Sequence, residues 1–581
     1  MYRELIEAEK LDTNLYMVNV MPQNNDAIIW INIKWKKEGQ IVNNLRQRIY
    51  RASANGDIKR VRNLQKLMMR SQANVLVSIR RVTQQNHGKN TPGVDKVIIR
   101  TATERIKLYL ELIKAVPGKG YPIKRVYIPK KKGKRPLGLP IIFDRCMQAI
   151  VKNALEPYWE AHFETSSYGF RPGRSTHDAI EKIAHIASVK NTRKWVLDAD
   201  IKGAFDNINH DYLLSCIKGF PGIKWIKQWL KSGVMEDMKY FPTITGVPQG
   251  SIVSPLLANI ALHGMEKTLG VKYREYGYLS TKCCALVRYA DDFVVLHETK
   301  QGCEIAKQTL QTWLAQRGLE LSPEKTHIKH LTQGFDFLGF NIRYYPVKNR
   351  KQPYIFLAKP SKSSISQFRS KFKQAWKQII AWPIKQGIEY LNPKIVGWGN
   401  YFRIGTAKKT FANLDSWMWL RQTRFVTRRH PNKSWQWKSK YWGIIPQHHD
   451  KWVFKDKDSK QYLEKLSWIS IKRHILVKGK ASPDNPELRE YWRERQLRKI
   501  DVLSSAKIRT SLWKQQKGLC LICNQPLDNG EDTHCHHKRP KKQGGSNRID
   551  NLCLLHSLCH HQVHSKQNNT GASRLLEPCA G

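Results

Sequence analysis

The sequence predicts a multidomain α+β protein, and three observations carry that expectation. At 581 residues, 41% of them hydrophobic, the chain is long enough for several domains with sizeable cores. Helix-type and strand-type patterns alternate irregularly up to about residue 345. A Trp-rich basic stretch over 355–460 then reads as mostly helical, and a distinct His/Cys-rich unit occupies 510–567.

Residues 1–40 are mixed and give no clear boundary signal. From about Asn43 to Val82, apolar residues recur at three- and four-residue spacings between basic ones, which predicts helices. A turn-rich patch follows at Asn90-Thr91-Pro92-Gly93-Val94-Asp95. Arg125 to Lys130 reads as a strand, and Lys131-Lys132-Gly133-Lys134-Arg135-Pro136 as a basic turn. Trp195 to Ile201 reads as a second strand, with a helix after Gly203. Pro248-Gln249-Gly250-Ser251 is a glycine turn opening a helix, and the missing Cβ at Gly250 permits close approach to the backbone there. The polar stretch at about 470–505 reads as a linker or small basic module. No internal repeat is present.

Charge narrows the class of partner. Lys+Arg total 100 against 47 Asp+Glu, a formal net charge of +53 spread along the whole length. Such a chain repels itself unless it neutralises a polyanion, and nucleic-acid phosphate is the obvious one. A membrane partner is not expected, since no run of 18 or more apolar residues exists. Met1-Tyr2-Arg3-Glu4 lacks the apolar core of a signal peptide, so the expectation is an intracellular protein with reduced thiols. Several of the 11 Cys crowd beside His near the C-terminus, which favours metal over disulfides.

Tyr289-Ala290-Asp291-Asp292 lies between Ala285-Leu286-Val287 and Phe293-Val294-Val295-Leu296, a hairpin pattern with two Asp at its turn. Adjacent carboxylates repel unless a cation sits between them. Polymerases use such carboxylates to hold two metal ions that activate a 3′-hydroxyl and stabilise departing pyrophosphate. Upstream, Asp198 and Asp200 share one strand face and Asp206 falls on the following helix. The residues alone do not choose among these three. At the other end, Cys520-Leu521-Ile522-Cys523 and His556-Ser557-Leu558-Cys559 are two short ligand pairs about thirty residues apart, a structural zinc pattern. Between and beyond them lie His534-Cys535-His536-His537, Asn551, His560 and His564.

The segment around Asp200, with the Tyr-Ala-Asp-Asp hairpin, resembles the palm of reverse transcriptases. That resemblance implies that Asp200, Asp291 and Asp292 bind magnesium and that Phe205 selects dNTP over rNTP. It also puts Gln249 near the nascent base pair, Lys325 near pyrophosphate, and Lys130 and Arg135 on the incoming triphosphate. Phe335 to Phe340 is similar to the strand pair gripping the primer. Tyr168-Gly169-Phe170-Arg171 and the stretches Leu391–Phe402, Leu414–Trp419 and Arg429–Trp435 resemble proteins encoded by bacterial group II introns. In that thumb, most of Trp398, Trp417, Trp419, Trp435, Trp437 and Trp442 are expected in the core. Arg421, Arg424, Arg428 and Arg429 are expected on RNA.

The C-terminal unit resembles an HNH nuclease with a ββα-metal fold. By that resemblance His537 is the general base, His536, His560 and His564 hold the catalytic metal, and Asn551 orients His537. Cys520, Cys523, His556 and Cys559 hold structural zinc, although His556 stands where many relatives have Cys. Cys535 and Cys553 are bystanders. The implied architecture is an N-terminal extension (1–40), fingers (41–190), palm (191–350) and helical thumb or maturase domain X (351–460). A basic DNA-binding segment (461–509), the nuclease (510–567) and a tail (568–581) follow. The implied cofactors are Mg²⁺, two at the polymerase site and one at the nuclease, and structural Zn²⁺. The implied partners are intron RNA, target DNA and dNTPs, in the bacterial cytoplasm and at the nucleoid when acting on DNA. Together these imply target-primed reverse transcription of the intron at a nicked DNA site (retrohoming). A splicing cofactor that only binds RNA, or a domesticated or defence-linked reverse transcriptase, is the competing expectation.

Overall fold

The computed structural model describes residues 26–118, 120–129, 133–189, 192–273, 279–280, 284–348, 352–459, 461–500, 507–527, 533–540, 544–546, 548–557, 559–560 and 562–564. The chain begins there with helices Asp26–Asn32, Trp35–Ala54, Ile58–Arg70 and Gln72–Arg80. Their boundaries follow from side-chain caps: Asp57 accepts from Arg60 N and Ser71 from Asn74 N, which satisfies amide groups that a helix start leaves open. Helix Ala102–Ile113 starts with a full capping box made by Thr101 and Glu104. Helix Ile142–Glu160 runs through the middle of this bundle and is buried along most of its length.

Strands β1 (Ile123–Pro129), β2 (Lys134–Leu139), β4 (Val234–Glu236) and β5 (Lys239–Phe241) form a fingers sheet in the order β2-β1-β4-β5. The palm sheet has the order β6-β7-β3-β8, from β3 (Trp195–Asp200), β6 (Ala285–Tyr289), β7 (Asp292–His297) and β8 (His327–His330). This sheet divides the hydrophobic interior in two. Leu197, Leu286, Phe293 and Val295 face one core, which they share with Cys303 and Leu310 of helix Lys300–Ala315. Val196, Val287, Val294 and Leu296 face the other, with Ile180 and Ile183 of helix Thr176–Ile186. Burial on both faces explains why β7 reads as an unbroken apolar run and not as an alternation.

Strands β9 (Phe335–Phe337), β10 (Phe340–Pro346) and β11 (Tyr354–Pro360) make a small sheet leading into thumb helices Lys362–Gln378, Ile384–Phe402 and Lys408–Arg429. The 355–460 stretch is less helical than its pattern predicts. β11 opens it, and β12 (Trp442–Ile445) pairs with β13 (Asp450–Phe454) near its end. The tryptophans explain the hairpin: Trp442 stacks on Trp452 across the strands with ring centroids 5.9 Å apart, a cross-strand pair that favours sheet.

The stretch expected as a linker is a strap tied onto the molecule through residue 495. Arg46 donates to Asp484 at 2.8 and 2.7 Å. Arg174 Nη2 donates to Gly479 O at 2.7 Å. Asp178, wholly buried, accepts from Arg495, from Val477 N and from His474. Burial alone would raise the Asp178 carboxyl, but bonds from His474 and the charge of Arg495 hold it well below the usual range. The polar composition misled because these charges are paired inside rather than solvated.

Beyond the strap come helix Lys507–Gln515 and the antiparallel hairpin of β14 (Thr533–His537) and β15 (Leu552–His556), with helical turns at 562–564, a ββα order. No helix among the described residues is long and apolar enough to cross a membrane.

Candidate active sites

Three carboxylates meet at one end of the palm sheet. In the β3–β7 ladder Asp200 stands directly opposite Asp292. In the β6–β7 hairpin Tyr289 pairs with Asp292, so Ala290 and Asp291 alone make the turn and Asp291 sits at its tip. Burial raises the Asp291 carboxyl and the Asp200 charge adds to this, while Arg135 and Lys325 pull it down. Burial, then Asp200, pushes Asp292 up to about 7. Three crowded, partly desolvated carboxylates are a poor arrangement for a protein alone and a good one for divalent cations. Lys325 Nζ already bonds Asp200 Oδ2. Asp198 lies two residues back on the same face and is raised to about 7 by burial. The Asp206 carboxyl is raised by burial and sits beyond the turn at Gly203.

A buried arginine braces the turn. Ala290 has φ of 59°, a left-handed conformation that costs a non-glycine residue about 1–2 kcal/mol. Arg288 Nη1 donates to Ala290 O at 3.2 Å and to Asn259 Oδ1 at 3.0 Å, and Asn259 Nδ2 donates to Gly169 O at 2.9 Å. Arg288 is 0% exposed, and burial lowers its guanidinium to about 10 against the pull of Glu164. Gly169 touches the turn so closely that an added Cβ would lie 2.4 Å from Ala290 N, which is backbone and cannot swing aside. Arg171 from the same segment pairs with Glu160 at 2.9 Å, both fully buried. Arg288, Asn259 and Gly169 were not singled out as site residues from sequence. The signal was available: an arginine inside the otherwise apolar run Ala285 to Tyr289 needs an internal partner.

The other polymerase residues divide. Arg135 is exposed on β2, opposite Ile128, and its charge reaches Asp291. Phe205 lies in helix Ala204–Asn207 with its ring 6.1 Å from Phe170. Gln249 accepts from Gly138 N through its carbonyl, at 2.5 Å, joining the turn to β2. The glycine at 250 serves this same junction: a Cβ there, at φ of 112°, would meet Gly138 O at 2.4 Å. Its close neighbour within the chain is thus the fingers backbone at Gly138. Lys130 lies outside the described residues.

The C-terminal unit brings together two ligand sets. Cys520, Cys523, His556 and Cys559 are all buried, with ligand atoms within 4.8 Å of one another. His556 Nε2 bonds Pro526 O at 2.9 Å, which turns Nδ1 toward the sulfurs, 3.3 Å from Cys523 Sγ. His556 therefore fits the fourth position despite the departure from Cys. His536, His560 and His564 form the second set, also within 4.8 Å. His536 is lowered by burial and then by His564 and His537, a direction that favours the neutral imidazole a metal ligand needs. His537 ends β14 and pairs with Leu552. Asn551 holds the turn after it: its side chain bonds Arg539 N, Arg539 O and Ser546 O, and its carbonyl accepts from Lys538 N. His534, to which no role was assigned from sequence, sits 5.1 Å from the His560 ring. Strand alternation puts it on the face of His536. Cys535 is exposed and Cys553 buried, and neither belongs to a ligand set among the described residues.

In the thumb, Trp442 is buried while Trp419 and Trp435 are exposed. Burial, then Arg424 and Arg428, lowers the Arg421 guanidinium, so these three cations share a surface. Arg429, expected on RNA, gives one of its guanidinium N–H groups to the chain itself: its Nη1 donates to Trp382 O at 2.6 Å.

Comparison with known proteins agrees in chain order. A family model for the N-terminal domain of reverse transcriptase matches residues 30–112, and one for reverse transcriptase (RNA-dependent DNA polymerase) matches 128–342. A model for the group II intron maturase-specific domain matches 365–442, and one for HNH endonuclease 520–566. The chain is 32% identical over 340 residues to Protein YkfC of Escherichia coli (strain K12), covering 52% of this chain and 88% of that protein. It is 33% identical over 320 residues to Group II intron-encoded protein LtrA of Lactococcus lactis subsp. cremoris, covering 44% of this chain. The chain spans only 53% of the length of that relative. On the strength of these matches, the chain belongs to the group II intron-encoded reverse transcriptases, with a maturase-specific domain and a C-terminal HNH endonuclease domain.

Proposed function

We propose that this protein copies intron RNA into DNA at a site that its own nuclease opens, and that it also helps its intron RNA to fold and splice. The observation that carries this is the meeting of Asp200, Asp291 and Asp292 at one edge of a braced sheet. Magnesium bound there supplies charge neutralisation for the phosphates and a more acidic primer hydroxyl. The chain's own contribution is placement and charge. Arg135 and Lys325 face the carboxylates and offset charge on the triphosphate of the incoming dNTP. Lys130 is assigned the same task from its motif. Phe205, seated against Phe170, would exclude a ribose 2′-hydroxyl, and the Gln249 turn would support the new base pair.

In the C-terminal unit, His537 takes the proton from the attacking water and Asn551 steadies the loop that follows it. His536, His560 and His564 suit a divalent ion by their donor set, and the Cys520, Cys523, His556, Cys559 set suits structural zinc. A cut of this type leaves a 3′-hydroxyl, and a polymerase needs one as primer. The maturase role needs binding alone: preference for folded intron RNA shifts its folding equilibrium. Arg421, Arg424 and Arg428 form a cluster of thumb cations placed to meet phosphate. The protein would work as a ribonucleoprotein in the bacterial cytoplasm, moving to nucleoid DNA for insertion.

Primer extension on an RNA template with Mg²⁺ tests the reading. Asp291→Ala should abolish cDNA synthesis and leave intron splicing largely intact. Unchanged extension removes the palm assignment, and a parallel loss of splicing removes the separation of roles.

A further inference from the structure

The zinc-type cluster is not isolated at the end of the chain. Cys520, Cys523 and Cys559 belong to the same buried core as Trp30, Trp35 and Ile79 of the N-terminal helices. Arg80, the last residue of helix Gln72–Arg80, is 1% exposed; its Nη2 lies 3.6 Å from Cys559 Sγ and its guanidinium 4.8 Å from the Trp35 ring. Gln562, three residues past Cys559, donates to Ile31 O at 2.5 Å. Gln525, two residues past Cys523, packs against Gly39, whose Cβ would stand 3.0 Å from its Nε2. Contacts flanking both ligand pairs therefore converge on residues 31–80, the end of the N-terminal extension and the first fingers helices.

Charge explains why a guanidinium belongs at this place. Three thiolates around one divalent cation carry a net negative charge. Buried away from water, that charge is costly unless a cation offsets it, and a buried arginine has the mirror-image need. A donor to a metal-bound sulfur also tunes how firmly the sulfur holds the ion.

We propose that the zinc knuckle is a latch fastening the nuclease domain to the fingers, with Arg80 as the outer positioning residue of the bound ion. It rests on the reading of Cys520, Cys523, His556 and Cys559 as a zinc site. Folding of the knuckle assembles the surface that carries Gln525 and Gln562, so loss of the ion loosens the fingers helices as well as the nuclease. The proposal gives the fingers a dependence on a metal bound more than four hundred residues later in the chain.

The test uses the full chain. Elemental analysis first establishes bound zinc. Amide hydrogen exchange is then followed with and without a zinc chelator. Chelation should speed exchange about tenfold or more in residues 35–54 and 72–80 while β6 and β7 hold. Arg80→Gln should release zinc to a competing chelator about tenfold more readily. In the Co²⁺-loaded chain, Arg80→Gln should move the sulfur-to-metal charge-transfer band to lower energy, and Arg80→Lys should restore part of both effects. Should Arg80→Gln not fold, Gly39→Leu provides the alternative: it favours its helix, fills the space of Gln525, and should also ease zinc release. Fingers exchange that ignores chelation, or zinc retention unchanged in the folded variant tested, overturns the latch and leaves the zinc reading standing. A chain that binds no zinc overturns both.

Discussion

The palm and the C-terminal unit each assemble a cluster of proposed metal ligands, but different forces hold them. In the palm, Asp200 and the pair Asp291–Asp292 come from distant segments and are set opposite each other by a sheet buried on both faces. Protein contacts brace this scaffold: Arg288, Asn259 and Gly169 pin the turn. In the C-terminal unit, Cys520 and Cys523 are close in sequence, and the unit adds few apolar side chains of its own to the core that it shares with the N-terminal helices. There the ion itself is expected to be a large part of the fold. The difference predicts that the two activities can be broken separately, and that metal loss costs the palm its chemistry but the C-terminal unit its structure as well.

The largest effect expected is at the nuclease. His537→Ala should lower DNA nicking by about 10²–10⁴-fold, the usual worth of a general base, while leaving DNA binding and cDNA synthesis from a supplied primer unchanged. A nicking assay and a primer-extension assay on one preparation check this. Unchanged nicking would remove the residue from the reaction.

How much of each site was readable from sequence follows the same divide. The zinc-type set is displayed by metal-ligand spacing, with His556 placed by position despite its departure from Cys, whereas His536, His560 and His564 come from family resemblance. The palm acids were visible as a hairpin motif, yet the choice of Asp200 over Asp198 and Asp206 came from family resemblance, because strand period leaves Asp198 and Asp200 equivalent. The brace was hidden for a tertiary reason. Arg288, Asn259 and Gly169 come from three segments, and nothing in local sequence says which will touch. The stretch at about 470–505 reads as a linker for a similar reason, since buried pairs such as Arg46–Asp484 look like surface charges in a sequence. Arg429 shows the limit of composition: it is as basic as Arg424 but is spent on Trp382 O.

Gly169→Ala sharpens the claim that the palm turn is held by packing. The new methyl would meet Ala290 N and Tyr289 C, so the Asp291 turn must shift. A displacement of about 1 Å at reacting groups costs about 10²-fold, so primer extension should fall by roughly that factor. Nicking should hold. Equal loss of both activities would point to general unfolding instead.

Asp178→Asn asks what joins the two regions. Asp178 accepts from His474, Val477 N and Arg495 of the strap and from Ser175 on its own side. Breaking this buried pairing should cost about 3 kcal/mol of stability at neutral pH. Its folded carboxyl is held below the usual range, so the stabilisation is complete above the unfolded value of about 4 and fades as pH falls below it. Thermal melts of wild type and variant should therefore differ most at pH 6–8 and converge in acid. A gap that is constant with pH would mean that the ionised carboxylate is not what fastens the strap.

The smallest effect separates two thumb arginines that look alike in sequence. Arg424 is exposed beside Arg421, whereas Arg429 donates to Trp382 O. If the shared cationic surface meets RNA phosphate, Arg424→Ala should weaken intron RNA binding a few-fold and reduce the salt dependence by about one ion, with no change in Tm. Arg429→Ala should do the reverse: a lower Tm from a carbonyl left without its donor, costing about 1 kcal/mol, and a salt slope close to wild type. Filter binding across a salt series, with melts on the same samples, distinguishes them. Equal slopes for both variants would mean that the cationic face of helix Lys408–Arg429 is not where the RNA lies.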